Sequence, residues 1–139
     1  MAVTANLSIS LDGYYTGPSP SSLQPLGHGG EPLHDWFAHN GTSRHQLSAS
    51  DILAEELERL GAMVMGRDSC DHAQAEWGDS PPFEVPVFVV THRAHPDDAR
   101  DGTTFHFVTD GFSAALARGA SARPTSSIVA EVTMKRETR

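Results

Sequence analysis

A continuous apolar run from Pro86 to Thr91, Pro-Val-Phe-Val-Val-Thr, constrains the fold of this chain more than any other feature. A short run without polar interruption that is rich in β-branched residues predicts a strand covered on both faces. A second apolar run, Ala62 to Met65, follows a helical pattern of Leu53, Leu57 and Leu60. Buried strands that alternate with helices are typical of a parallel sheet. The sequence therefore predicts an α/β domain with a mostly parallel central sheet.

Basic residues follow each of the two predicted strands. Gly66-Arg67 comes directly after the first strand, and Thr91-His92-Arg93 ends the second. If the strands are parallel, these residues lie side by side at the carboxyl ends of the strands, where open α/β sheets bind ligands. A glycine lets the backbone approach a ligand closely, and an arginine offers a planar set of donors that matches a phosphate. The pair of strand ends indicates a phosphate-bearing cofactor, whereas Gly66-Arg67 taken alone is more often an ordinary connection with a solvated arginine.

The charge balance disfavours some classes of partner. The chain of 139 residues has 18 acidic and 10 basic residues and a formal net charge of −8. The summed field of such a chain repels polyanions, so we expect neither nucleic acid nor an anionic membrane surface as a partner. A bound phosphate would have to be held by local donors. Arg67 and the N-terminus of a helix predicted from Asp68 toward Trp77 are the candidates.

Length and cysteine usage predict one domain, residues 1–139, in the cytoplasm. A chain of this size buries roughly two thirds of its unfolded surface without a second domain. Cys70 is the only cysteine, which excludes an internal disulfide, and the N-terminus lacks the features of a secretion signal. The eight histidines lack the spacing of a metal site, so we predict none.

The N-terminal third combines one strand signal with a long irregular segment. Ala2 to Leu11 alternates apolar and polar residues with the period of a half-buried strand. Gly17 to Pro32 is rich in Gly, Pro and Ser, which is compatible with a functional lid or with a plain flexible loop. Next comes the aromatic cluster Leu33 to Phe37. Asp35 either sits in a pocket as a proton donor or ligand anchor, or faces water while Trp36 enters the core.

The C-terminal residues carry a weaker pattern. A short helix is predicted from Phe112 to Arg118, and Gly119 to Ser127 is typical of a linker because it is low in apolar residues. Ile128 to Met134 alternates apolar and polar residues. This last segment is compatible with an edge strand or with a frayed tail.

Six stretches of the chain together carry a resemblance to a known family. They are Ser10–Tyr14, Pro25–Gly30, Leu33–Trp36, Val64–Arg67, Pro86–Arg93 and Phe107–Gly111. In order and spacing, they resemble the bacterial dihydrofolate reductase-like proteins related to the C-terminal reductase domain of the riboflavin-pathway deaminase/reductase. The resemblance runs from about Val3 to Arg118. It implies a three-layer α/β domain with a mostly parallel sheet, commonly a homodimer, that binds NADPH across the carboxyl ends of the strands.

The resemblance also implies roles for individual residues. It places the strand-to-helix turn at the cofactor phosphates and the end of the next strand near the adenosine 2′-phosphate. It also places a mobile lid, Asp12 to Gly30, over the nicotinamide and Asp35 as the catalytic carboxylate. The cofactor-binding residues implied are Gly66, Arg67, Thr91, His92 and Arg93. The residues implied for the substrate pocket are Asp12, Tyr14, His34 and Trp36.

The C-terminus departs from the family pattern. Such proteins continue after the helix with a further strand, a Gly-Gly turn that holds the pyrophosphate, a helix and antiparallel closing strands. No Gly-Gly pair follows Gly30 in this chain, and the residues from Gly119 onward do not resemble the family. We therefore expect the C-terminal strands to be reduced or replaced.

Three hypotheses follow. The first is an NADPH-dependent reductase that transfers a hydride to a small heterocyclic or carbonyl substrate, such as a pterin-like or pyrimidine-like compound. The second is a scaffold that has lost nucleotide binding and acts as a small-molecule-binding protein or a non-redox cyclase or isomerase. The third, compatible with both, is a homodimer that pairs its open sheet edge or swaps the strand Ile128 to Met134 with a second copy.

Overall fold

The computed structural model describes residues 2–35, 54–122 and 126–131. Six strands and four helical segments form in these residues. The strands are β1 (Val3–Asn6), β2 (Leu60–Gly66), β3 (Val87–Val90), β4 (Asp98–Arg100), β5 (Thr103–Val108) and β6 (Ser127–Glu131). The helices are a 3-10 turn (Glu31–Leu33), α1 (Ala54–Arg59), α2 (Arg67–Trp77) and α3 (Phe112–Ala122).

The six strands make one sheet in the order β1-β6-β2-β3-β5-β4. All neighbours pair in parallel except β4, which runs antiparallel to β5 at one edge. The carboxyl ends of the five parallel strands therefore lie along one side of the sheet, which we call the carboxyl edge. The predicted α/β class with a mostly parallel sheet is confirmed.

Helices α2 and α3 cover opposite faces of the sheet and make three layers. Val64 and Phe88 belong to the core under α3, whereas Met65 and Val89 belong to the core under α2. Successive residues of a strand point to opposite faces, so the two unbroken apolar runs supply both cores. Buried Cys70 packs in the core under α2, where burial raises the pKa of its thiol.

Strand β6 corrects the prediction for the C-terminus. It lies between β1 and β2, inside the sheet, and not at an edge. Ile128 pairs with Val3 on one side and with Ala62 on the other. Ile128, Val129 and Ala130 are all buried, because neighbouring strands flank β6 on both sides and α3 packs against one of its faces. A strand therefore does follow α3, and β6 pairs with strands of its own chain.

Helix α3 is longer than predicted and includes Gly119. A Cβ built on Gly119 would lie 3.4 Å from the side chains of Ala62 and Ile128. The glycine thus marks a close approach of the helix to the sheet and not the end of the helix. The predicted linker from Gly119 to Ser127 is wrong for residues 119–122, and residues 123–125 lie outside the described part.

Two other predictions differ from the structure. Strand β1 ends at Asn6, and Leu11 of the predicted strand is fully exposed. Gly61 lies inside β2, so α1 ends at Arg59 and not at this glycine. Pairing with β6 accounts for both results. Strand β6 pairs with β1 as far as Asn6, where β1 ends, and with β2 from Leu60 onward, so Gly61 belongs to a strand.

The close approach at Gly119 can be tested by two substitutions. Gly119→Ala places a Cβ at ordinary contact distance and gains helix propensity, so we expect up to about 1 kcal/mol of added stability. Gly119→Val adds methyl groups against Ala62 and Ile128, so we expect a loss of about 1–3 kcal/mol. Urea unfolding at equilibrium measures both values. Equal effects of the two substitutions would contradict the packing described here.

Candidate functional site

The parallel pairing of β2 and β3 brings the predicted strand-end residues together at the carboxyl edge. Gly66 pairs with Val90 in the last register of the two strands. Arg67 follows β2 directly and begins α2. Thr91 follows β3 directly and begins the loop after it. The predicted juxtaposition of Gly66-Arg67 with the segment Thr91 to Arg93 is therefore present.

Arg67 is held in place by two contacts. Its Nε donates to both carboxylate oxygens of Asp71 at 2.8 Å, one helical turn further along α2. Its Cζ lies 5.0 Å from the centre of the Phe107 ring. The hydrogen bond with Asp71 raises the pKa of the guanidinium, and within the described residues Asp71 is the side chain's hydrogen-bond partner. Asp71 thus occupies Nε and leaves the two terminal NH₂ groups to a ligand.

Thr91 builds the turn that carries the second set of cations. It is 8% exposed, and its backbone N–H donates to the carbonyl of Val108 at 3.0 Å. Its hydroxyl oxygen accepts the N–H of Arg93 at 3.1 Å, which closes a tight turn across His92. The side chains of His92 and Arg93 are exposed at the carboxyl edge. Thr91 therefore has a structural role that leaves both basic side chains available to solvent.

Two residues of this region had no predicted role. Phe107 lies one register before the end of β5, on the face that α2 covers. Its ring centre is 4.4 Å from that of His95, in the loop between β3 and β4. Strand periodicity could have predicted which face of the sheet Phe107 occupies, but its pairing with Val89 depends on the order of the strands. No sequence signal marks His95, because a loop determines its position.

Carboxylates accompany these cations. Asp68 lies in the first turn of α2, whose N-cap is Gly66, so the helix begins one residue before its predicted start at Asp68. A negative charge in a first turn stabilises a helix through its dipole. It also weakens the attraction of the same helix end for an anion. Arg67 and Arg93 must therefore supply most of any attraction for a phosphate.

The segment after β1 folds into a compact loop. A backbone hydrogen bond of 2.7 Å joins Gly17 to Leu26, and another of 3.0 Å joins His28 to Pro18. A Cβ on Gly30 would lie 1.9 Å from the carbonyl oxygen of Leu26, so only glycine fits there. The loop is thus held together by its own hydrogen bonds. Its role as a lid stays a prediction.

The predicted substrate-pocket residues are less closely grouped. Asp12 accepts a hydrogen bond from the Ser10 hydroxyl, and Tyr14 is 53% exposed. His34 is partly buried just after the 3-10 turn, and Asp35 is exposed. Trp36 lies outside the described residues. The grouping of Asp12, Tyr14, His34 and Asp35 into one pocket with the strand-end cations stays a prediction.

Two open depressions lie away from these cations. One, of about 530 Å³, is lined by His106, Asp97 and Arg118 on the α3 face. The other, of about 720 Å³, is lined by Arg100 and Asp98 near β4. Each contains one internal pair of ionisable groups, with 2.7 Å between His106 and Asp97 and 2.8 Å between Arg100 and Asp98. The carboxyl edge is the stronger candidate for a ligand site, because within the described residues Asp71 binds only the Nε of Arg67 and leaves its terminal NH₂ groups accessible.

The partial burial of His34 gives a prediction about pH. Desolvation lowers its pKa below the usual value of 6.5. An unfolded chain binds the proton more readily, so the free energy of unfolding should fall as the pH drops below 6.5 toward the lower pKa. NMR titration of the His34 ring, assigned with His34→Gln, measures the pKa directly. A midpoint at or above 6.5 would contradict the burial described here.

None of the helices in the described ranges combines the length and apolarity needed to cross a bilayer. No protein-family model and no curated protein sequence matches the chain.

The fold is similar to the crystal structure of a protein from Shewanella sp. PV-4 that is provisionally assigned to riboflavin biosynthesis. The TM-score is 0.55 at 21% sequence identity. The likeness covers 95% of this chain, and this chain spans 65% of the length of that protein. Likeness at this identity shows a shared fold, and it confirms the predicted dihydrofolate reductase-like α/β architecture. Membership in the family of riboflavin-pathway reductases stays a prediction.

Proposed function

We propose that this chain binds NADPH at the carboxyl edge and reduces a small heterocyclic or carbonyl compound, such as a pterin-like or pyrimidine-like one. The observation that carries the proposal is the pair of cations at neighbouring strand ends, Arg67 after β2 and Arg93 after β3. A chain with a net charge of −8 repels anions at long range, so a phosphate requires local donors of this kind.

The residues at the edge fit the phosphates of a dinucleotide. Gly66 has no side chain and precedes α2, so a diphosphate can approach the backbone there. The terminal NH₂ groups of Arg67 provide a planar donor pair of the geometry that phosphate oxygens accept. His92 and Arg93, exposed on the Thr91 turn, would pair with the 2′-phosphate that distinguishes NADPH from NADH.

The cofactor would supply the hydride from its nicotinamide C4, and the protein would orient the ring and supply a proton. Reduction of a C=N or C=O bond consumes one hydride and one proton. In this proposal Asp35, which is exposed, delivers the proton or relays it through water. Asp12, Tyr14, His34 and Trp36 would line the substrate side, and the loop from Asp12 to Gly30 would exclude water from the nicotinamide.

One observation favours a second candidate. Asp68 and Asp71 both lie at the N-terminal end of α2, and Asp71 already binds the guanidinium of Arg67. The two carboxylates reduce the positive potential where the diphosphate would sit. The second candidate is therefore a reductase-like scaffold that has lost nucleotide binding and acts as a small-molecule-binding protein or a non-redox catalyst.

Calorimetric titration with NADPH and NADH tests the proposal. We expect micromolar binding of NADPH, equivalent to about −8 kcal/mol, and weaker binding of NADH. The double variant Arg67→Ala, Arg93→Ala removes the charge-assisted hydrogen bonds to phosphate, so its affinity for NADPH should fall at least about tenfold.

Arg59→Ala is the matched control. Arg59 is an exposed arginine at the end of α1, beside the amino end of β2, and it pairs with Glu55 at 3.3 Å. Each arginine-to-alanine substitution removes one positive charge. The effect of Arg59→Ala on NADPH affinity therefore measures the general field effect of one lost charge, and any larger loss per arginine in the double variant reports local contacts. Absence of binding of either nucleotide to the wild-type chain would overturn the reductase proposal and favour the second candidate.

A further inference from the structure

His95 reaches the proposed nucleotide site from the loop between β3 and β4. This loop passes the end of β5, because β5 lies between those two strands in the sheet. Its path puts the imidazole of His95 on the ring of Phe107, with a centroid distance of 4.4 Å and a tilt of 48°. The guanidinium carbon of Arg67 lies 5.0 Å from the centre of the same ring. One aromatic side chain thus holds two basic groups at the carboxyl edge.

The orientation of the His95 ring follows from a hydrogen bond. Its Nδ1 lies 2.7 Å from the carbonyl oxygen of Pro96. A carbonyl only accepts hydrogen bonds, so Nδ1 carries a proton and donates it. Nε2 is then an acceptor in the neutral ring and a donor in the imidazolium form. Within the described residues, no hydrogen bond engages Nε2, and the side chain is exposed to solvent.

We infer that His95 is a further phosphate-binding residue of this site, which contacts the 2′-phosphate of NADPH through Nε2. The inference rests on the proposed function and assigns a specificity-determining residue to it. Its position carries the assignment: His95 lies two residues after Arg93 in the same loop and shares the Phe107 ring with Arg67. A 2′-phosphate held by Arg93 would meet His95 as a second donor of the same loop, while the contact with Phe107 keeps the imidazole at the carboxyl edge.

The local charge around His95 suits a phosphate. Arg67, His92 and Arg93 are the basic groups on its own loop and across Phe107. Asp71 is paired with Arg67, and Asp97 is paired with His106 at 2.7 Å. A phosphate dianion therefore brings the opposite charge to a group of basic side chains.

His95→Gln tests the inference, with His72→Gln as the matched control. His72 lies in α2 more than one turn beyond Arg67. We expect His95→Gln to weaken NADPH binding about three- to tenfold, the range for loss of one charge-assisted contact at an exposed site. Binding of NADH should change less than about twofold, because NADH lacks the 2′-phosphate. The control should leave both affinities unchanged. An equal loss for both nucleotides, or no loss for either, would overturn the inference.

A second measurement tests the role of His95 independently of whether the chain binds NADPH. NMR spectra of the wild-type chain follow the His95 ring signals, assigned with His95→Gln, during titration with adenosine 2′,5′-bisphosphate and with adenosine 5′-monophosphate. We expect the bisphosphate to shift the His95 signals and the monophosphate to have little effect. A wild-type chain that binds no NADPH overturns the proposed function, but a bisphosphate-specific shift would still support the His95 subsite. Absence of that shift would overturn the subsite.

Discussion

The parallel pairing of β2 with β3 determines the rest of the described structure. Because Gly66 and Val90 share the last register, two connections with different chemistry leave the sheet side by side. A shift of one residue in this pairing would exchange the two faces of the sheet and move each apolar set to the wrong core. Unbroken apolar sequence does not fix the register alone. The register is fixed by the helices on both faces, because Val64 must pack in the core under α3 and Met65 in the core under α2.

The elements that the sequence predicts well are those with one dominant local signal. Strands β2 and β3 are short apolar runs bounded by turn residues, and their observed ends differ from the prediction by one or two residues. Gly119 shows where local reasoning fails. A glycine after a weak helical pattern indicates a helix end, yet here it is buried where α3 approaches Ala62 and Ile128. That signal is tertiary, and a single sequence does not contain it.

The candidate site also contains residues that a single sequence predicts and residues that it does not. Arg67 and the Thr91 turn were predictable, because a strand end fixes where they lie in any parallel sheet. The positions of Phe107 and His95 depend on β5 lying between β3 and β4, which is a property of strand order. Asp35 illustrates a further limit. Its aromatic neighbours in sequence suggested a pocket, whereas Asp35 is exposed in the structure and those neighbours lie outside the described residues.

The place of β6 has a consequence for how this chain folds. Thr4 and Ile128 are 124 positions apart in sequence, yet they meet in adjacent strands. In the described sheet β1 pairs with β6 alone, so the first strand cannot join until the last one has been inserted. Such long-range pairing makes folding slow, because loop closure must precede the contacts that stabilise it. Until β6 arrives, the edge of β2 stays open to strands from other molecules, which makes the intermediate prone to aggregation.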